Sequence, residues 1–288
     1  MWPKGVAKRA LLWLGYELRS VERAPAPALH ADPWAAVHVA RANAPVRFGS
    51  SLDHVRDTQG FGFHAEGWHP LVAALRHSDR SGLAGKHRLQ RFLDGFQPRT
   101  ALEALPGFDA LDPCGLQDLP PHHFGLTPWF AGTPQTMDAN IRRWCQEDAR
   151  EHGLADFDLN RHGVAYFGPT SAEVIALEWG RLEALRSSLS ERGYDRGQGD
   201  CRFYLVRRGS DFRAIAQGGG RHRTAALAAL GHDCAPGRFV PPVAVDVRDV
   251  ADWPQVRSGM WSQRDARRYV DHLFDFDSRR WARERGLL

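Results

Sequence analysis

The chain has 288 residues, 43% hydrophobic and 25% charged, an ordinary globular composition that can fill one large domain or two small ones. Its formal net charge of +4 is only mildly basic, with no clustered basic stripe of the kind nucleic-acid binding needs. No apolar run approaches the ~18 residues of a membrane-spanning helix.

Cys114, Cys145, Cys201 and Cys234 are widely spaced, with no C-x-x-C pair, and the N-terminal stretch, short and interrupted in its apolar run, reads as a poor secretory signal. They read as reduced thiols, and the expected location is cytoplasmic. Residues 4–20 place Val6, Ala10, Trp13 or Leu14, and Leu18 on one helical face, with Lys4, Lys8, Arg9 and Arg19 around the rest. Docking on the protein's own core is the expected role of this helix. Weak association with an anionic membrane surface is the alternative. Val21 to Pro45, rich in alanine and proline, reads as linker.

From Arg47 to Leu119 the pattern predicts short helices broken by glycine and proline, at His69–Leu75 and Leu89–Leu93, with Leu105–Pro121 as loop. His64, His69 and the adjacent pair His122 and His123 have no third ligand at a zinc-like spacing. Adjacent histidines do not easily face one ion from a regular element, so no metal ligand is assigned. Met137 to Gly153 reads as a helix with Ile141, Trp144 and Cys145 at core spacing. Residues 1–154 thus read as a mostly helical N-terminal region.

A second part begins near Ala155. Gly163–Pro169 reads as a short strand into a turn, and Thr170-Ser171-Ala172-Glu173 fits a capping box with Thr170 as cap and Glu173 reaching back. Further on, an apolar strand from Phe212 runs into Gly218, Gly219 and Gly220, then Arg221, His222, Arg223 and Thr224, then a strong helix to Gly231. Three glycines let the backbone turn sharply and approach a ligand closely. The helix behind them offers N–H groups and a positive dipole end, and the arginines add forked donors suited to phosphate oxygens. This is an anion site, most plausibly for phosphate. Residues 251–288 read as a helical extension, with Ser262 capping a helix that carries Ala266, Tyr269, Val270 and Leu273, and a basic tail whose commonest explanation is a solvated helical end.

Gly219-Gly220-Arg221-His222-Arg223 resembles the Gly-x-x-Arg signature of the ParB/sulfiredoxin fold. Leu182–Tyr194 is similar to the family's preceding helix, Phe203–Val206 and Phe212–Ile215 to its two leading strands, and Pro241–Val245 to its closing strand. The resemblance implies an α+β, mixed-sheet nucleotide-binding domain over residues 155–250, with phosphate held by residues 218–224 and Arg223 as main side-chain anchor. Sulfiredoxin chemistry needs a cysteine in the signature where Arg221 stands, so it is not expected. Partition proteins of the family carry a helix-turn-helix after this domain, and only about forty residues follow Val250, so specific DNA binding is not expected.

The small-molecule kinases of the fold, such as free serine kinases, use a glutamate from the region before the signature as base. This makes Glu173 and Glu178 the candidate catalytic acids, with ATP (or CTP) and Mg²⁺ as cofactors, a small hydroxyl compound as acceptor, and the helical region 1–154 as the part expected to shape the acceptor pocket. The whole chain also resembles ParB-like proteins of bacterial cell-surface polysaccharide clusters, which implies a sugar or glycan precursor. A nucleotide-gated binding protein that transfers nothing is the alternative.

Overall fold

A computed structural model describes residues 29–41, 46–78, 81–195, 197 and 199–288. The amphipathic helix expected at residues 4–20 lies outside them. The elements in chain order are β1 (Leu29–His30), α1 (Pro33–Arg41), β2 (Arg47–Ser51), β3 (Val55–Arg56), α2 (Pro70–Arg76), α3 (Leu83–Gly95), α4 (Pro134–Glu151), α5 (Leu159–His162) and α6 (Ala172–Arg192). Then follow β4 (Cys201–Arg208), β5 (Asp211–Ala216), α7 (Gly219–Ala229), β6 (Cys234–Asp246), α8 (Pro254–Arg257), α9 (Gln263–Asp275) and α10 (Ser278–Glu284).

The fold is mixed α+β around one six-stranded sheet in the order β1-β2-β6-β4-β5-β3. Parallel and antiparallel pairings alternate across it: β6 runs antiparallel to β2 and parallel to β4, and β4 forms an antiparallel hairpin with β5. Phe203 to Val206 are all fully buried, because β4 is covered on both faces. Side chains alternate along a strand, so Phe203 packs towards Phe48 at 6.0 Å while Tyr204 meets Trp129 at 6.0 Å on the other side. Between the pairs Phe203–Phe239 and Leu205–Ala244, β6 carries extra residues that bulge out of the ladder. Within that bulge Val243 takes φ 69°, a costly conformation for a β-branched residue.

Three strands come from before residue 57, so the boundary expected near residue 155 does not divide the sheet. The expected linker also contains β1 and α1. Pro33 opens α1 without needing a donor, Asp32 Oδ1 accepts from Trp34 N at 2.8 Å, and Ala36 and Val37 are fully buried. Gly163–Pro169 forms only a Val164–Phe167 bridge rather than a strand. The basic tail is docked rather than solvated. Trp281 is buried against Phe61 and Phe96 at 5.3 and 5.4 Å, and Ser278 Oγ accepts from Trp68 N at 2.9 Å. Among the described residues no helix is long and apolar enough to cross a membrane.

Two packings position the site. Helix α7 lies against β4 and α6, which sets the glycine turn beside β4 and the middle of α6 beside the first turn of α7.

Candidate functional site

The turn begins where β5 ends. Gln217 N donates to Arg202 O at 2.9 Å, and Gly218 takes φ 52°, a region open to glycine. Gly220 then passes against β4: a Cβ there would lie 2.6 Å from Arg202 N and 2.8 Å from Arg202 O, so only glycine fits. The N–H groups of Gly220 and Arg221 close the turn onto Gln217 O and Gly218 O. What the turn offers an anion is therefore the positive end of an 11-residue helix together with the side chains around it.

Those side chains divide into two sets. Arg202 is exposed and its Nη1 would lie 3.8 Å from a Cβ on Gly218, which brings it over the turn. Arg223 donates to Gly199 O on the neighbouring loop. On the same loop, Arg47 Nε and Nη2 both donate to the Asp200 carboxylate, and Tyr194 Oη donates to it at 2.9 Å.

The second set is buried. Glu178, on α6 and 3% exposed, accepts from His222 Nε2 at 2.6 Å. Arg221 Nη2 lies 3.6 Å from the same oxygen, and Arg181 Nη1 lies 3.7 Å from the other. Burial alone would raise the Glu178 carboxyl, but the charge and hydrogen bond of His222, with Arg221 and Arg181, hold it at about 2. Arg221 is 5% exposed; it donates to Ala165 O at 2.9 Å and stacks 3.8 Å over the Tyr166 ring. Such a guanidinium is paired, stacked and committed to the interior.

Behind this network His69 caps α2, its Nδ1 accepting from Leu71 N at 3.2 Å, so the proton sits on Nε2, 3.3 Å from Asp57 Oδ2. Asp57 Oδ1 in turn accepts from Gln59 N and Phe61 N, both at 3.0 Å. Burial pushes the His69 imidazole down; the hydrogen bond and charge of Asp57 oppose this, and the charges of Arg221 and His222 add to it.

Of the residues singled out from the sequence, Glu178 and His222 meet directly and Arg223 stays at the rim. Arg221 turns inward, and Thr224 Oγ1 is spent on Gly220 O at 2.7 Å. Glu173 is exposed in the first turn of α6. The cap of that helix is Ser171, which accepts from Val174 N at 3.3 Å. Thr170 instead donates to Val164 O and Phe167 O, tying down the turn before it. Arg202 escapes a sequence reading. Its one signal is a charged residue directly ahead of the apolar run Phe203 to Val206 in β4.

Burial drives the Cys145 and Cys201 thiols up to about 11, so both stay protonated at neutral pH. His122 and His123 do have a common neighbour, Asp138 in α4. No family model matches the chain, and neither a curated protein nor a solved structure matches it.

Proposed function

We propose that the chain is a nucleotide-binding phosphotransferase of ParB/sulfiredoxin type. It moves phosphate from ATP (or CTP) to a small hydroxyl acceptor such as a sugar or a cell-surface polysaccharide precursor. The observation that carries this reading is the glycine turn opening α7, with Arg202 and Arg223 beside it and a carboxylate-held histidine in the first helical turn. Phosphoryl transfer is mostly positioning and neutralisation of charge, which a helix N-terminus and forked cations supply.

In its neutral form His222 donates through Nε2 to Glu178, which leaves the Nδ1 lone pair as the one suited to accept a proton from the acceptor hydroxyl. Glu178 then acts as a positioning residue. Its pKa of about 2 makes the carboxylate itself a poor base at neutral pH. Glu173 lies outside this arrangement. Asp200 and Glu178 are already committed to Arg47 and to His222 and Arg221, so Mg²⁺ would ride on phosphate oxygens and water.

The complete pairing of Glu178 and Arg221 favours a second reading, a protein that closes over nucleotide and transfers nothing. The test is γ-labelled ATP or CTP with Mg²⁺ and the full chain, across a panel of sugars and small alcohols. Label appearing on an acceptor supports the transferase. Nucleotide binding with no transfer to any acceptor supports the second reading, and absence of nucleotide binding by calorimetry overturns both.

A further inference from the structure

We propose that His122, His123 and Asp138 bind one zinc-class divalent ion, with water completing the coordination. The two histidines sit on a 3-10 turn, Pro121–Gly125, and Asp138 in the first turns of α4, whose cap Thr133 accepts from Thr136 N. His122 Nε2 lies 3.0 Å and His123 Nε2 3.6 Å from Asp138 Oδ1, and the three atoms all fall within 4.8 Å of one another. Four ligands at zinc bond lengths of about 2.0–2.1 Å stand roughly 3.3 Å apart in a tetrahedron, so the two distances straddle the required value.

An ion-pair chain alone accounts for only part of this cluster. His122 is satisfied by Asp138, and Arg142 Nε donates to Asp138 Oδ2 at 2.7 Å. His123 is different: it is 5% exposed, and neither ring nitrogen has a hydrogen-bond partner among the described residues. A neutral imidazole must carry one N–H and one lone pair, and burying both unsatisfied is costly. A cation facing Nε2 gives the lone pair a partner. The carboxylate is suitably prepared, because Arg142 occupies Oδ2 and leaves Oδ1 turned to both imidazoles, as outer-shell groups do in metal sites.

Two imidazoles and one carboxylate suit zinc and its first-row neighbours, not Mg²⁺ or Ca²⁺, which prefer all-oxygen sites. Three protein ligands leave a position for water, and Asp138 at 34% side-chain exposure gives it access. Bound metal would pin the 121–125 turn to α4. The next residue, Phe124, packs on Tyr166 at 5.2 Å, the ring that lies under Arg221.

The full chain, stripped with chelator, should take up one equivalent of Zn²⁺ in a calorimetric titration. Co²⁺ in its place should give the visible bands of a tetrahedral nitrogen/oxygen site without the near-ultraviolet band of thiolate ligation. Asp138→Asn and His123→Ala should each weaken Zn²⁺ more than about tenfold, since even outer-shell partners are worth 10–100-fold. His232→Ala, an exposed histidine elsewhere, should change nothing. The Co²⁺ spectrum is read on the unmutated chain, so it decides even where a variant fails to fold. No Zn²⁺ uptake, a thiolate spectrum, or unchanged affinity in folded Asp138→Asn and His123→Ala proteins would overturn the assignment.

Discussion

Glu178 joins the two halves of the candidate site, because one carboxylate neutralises an arginine of the fold's interior and orients a histidine at the turn. Its folded pKa lies below its ordinary value of 4.5, so its stabilising contribution is intact above pH ~4.5 and is lost as pH falls towards 2. Glu178→Gln removes the charge that pairs Arg221 and should cost about 3 kcal/mol at pH 7, the scale for breaking a buried pair. The gap between wild-type and variant urea midpoints should narrow from pH 7 to pH 3 and close only below the folded pKa of about 2; an equal gap at pH 7 and pH 3 would show that the carboxylate's charge does not matter. At the rim, Arg223→Ala should weaken nucleotide binding by about 1.5–3 kcal/mol, the range for hydrogen bonds to charged groups. Calorimetry with ATP and CTP measures it, and unchanged affinity in a folded variant moves the phosphate site elsewhere. Sequence patterns point to Glu178, His222 and Arg223, but not to their different fates. Whether an arginine faces solvent or a buried glutamate depends on the helix opposite, and α6 lies some forty residues upstream of it.

Helix α7 and strands β4 and β5 are legible in the sequence because each carries a strong local signal: a run of apolar residues, a glycine turn, an alanine-rich helix. Strand β1 and helix α1 are not, since a two-residue strand has no periodicity and alanine with proline mimics a linker. The tail at α10 reads as helical but its docking hides for a related reason: only Ser278, Trp281 and Ala282 are buried among its basic residues. The glycines of the helices separate two effects of the same substitution. Gly220→Ala sets a Cβ against strand backbone that cannot yield, and should cost about 1–3 kcal/mol as overpacking does. Gly180→Ala in α6 meets nothing within 4 Å and should stabilise by about 0.5–1 kcal/mol through helix propensity. Opposite shifts in thermal midpoint check the pair. A Gly220→Ala protein as stable as wild type would mean that α7 does not press on β4.

For the whole molecule, the sheet decides what can stand alone. A fragment of residues 155–250 lacks β1, β2 and β3, and with them Phe48, which stacks on Phe239 at 4.3 Å in the core. It should show no cooperative urea transition by circular dichroism, whereas the full chain should unfold in one; a cooperative fragment would restore residue 155 as a true boundary. The reason is the reach of β6, whose residues Cys234 to Arg238 pair with β2 on one edge while Gly237 to Phe239 and Ala244 to Asp246 pair with β4 on the other. Arg47 meets Arg238 across roughly 190 residues of chain, a separation that slows folding by loop closure and topology. On a ribosome adding about 5–20 residues per second, Arg238 follows Arg47 by about 10–40 s. For that interval the flank of β2 that receives β6 has no native partner, so newborn chains depend on that edge being shielded until β6 has been made.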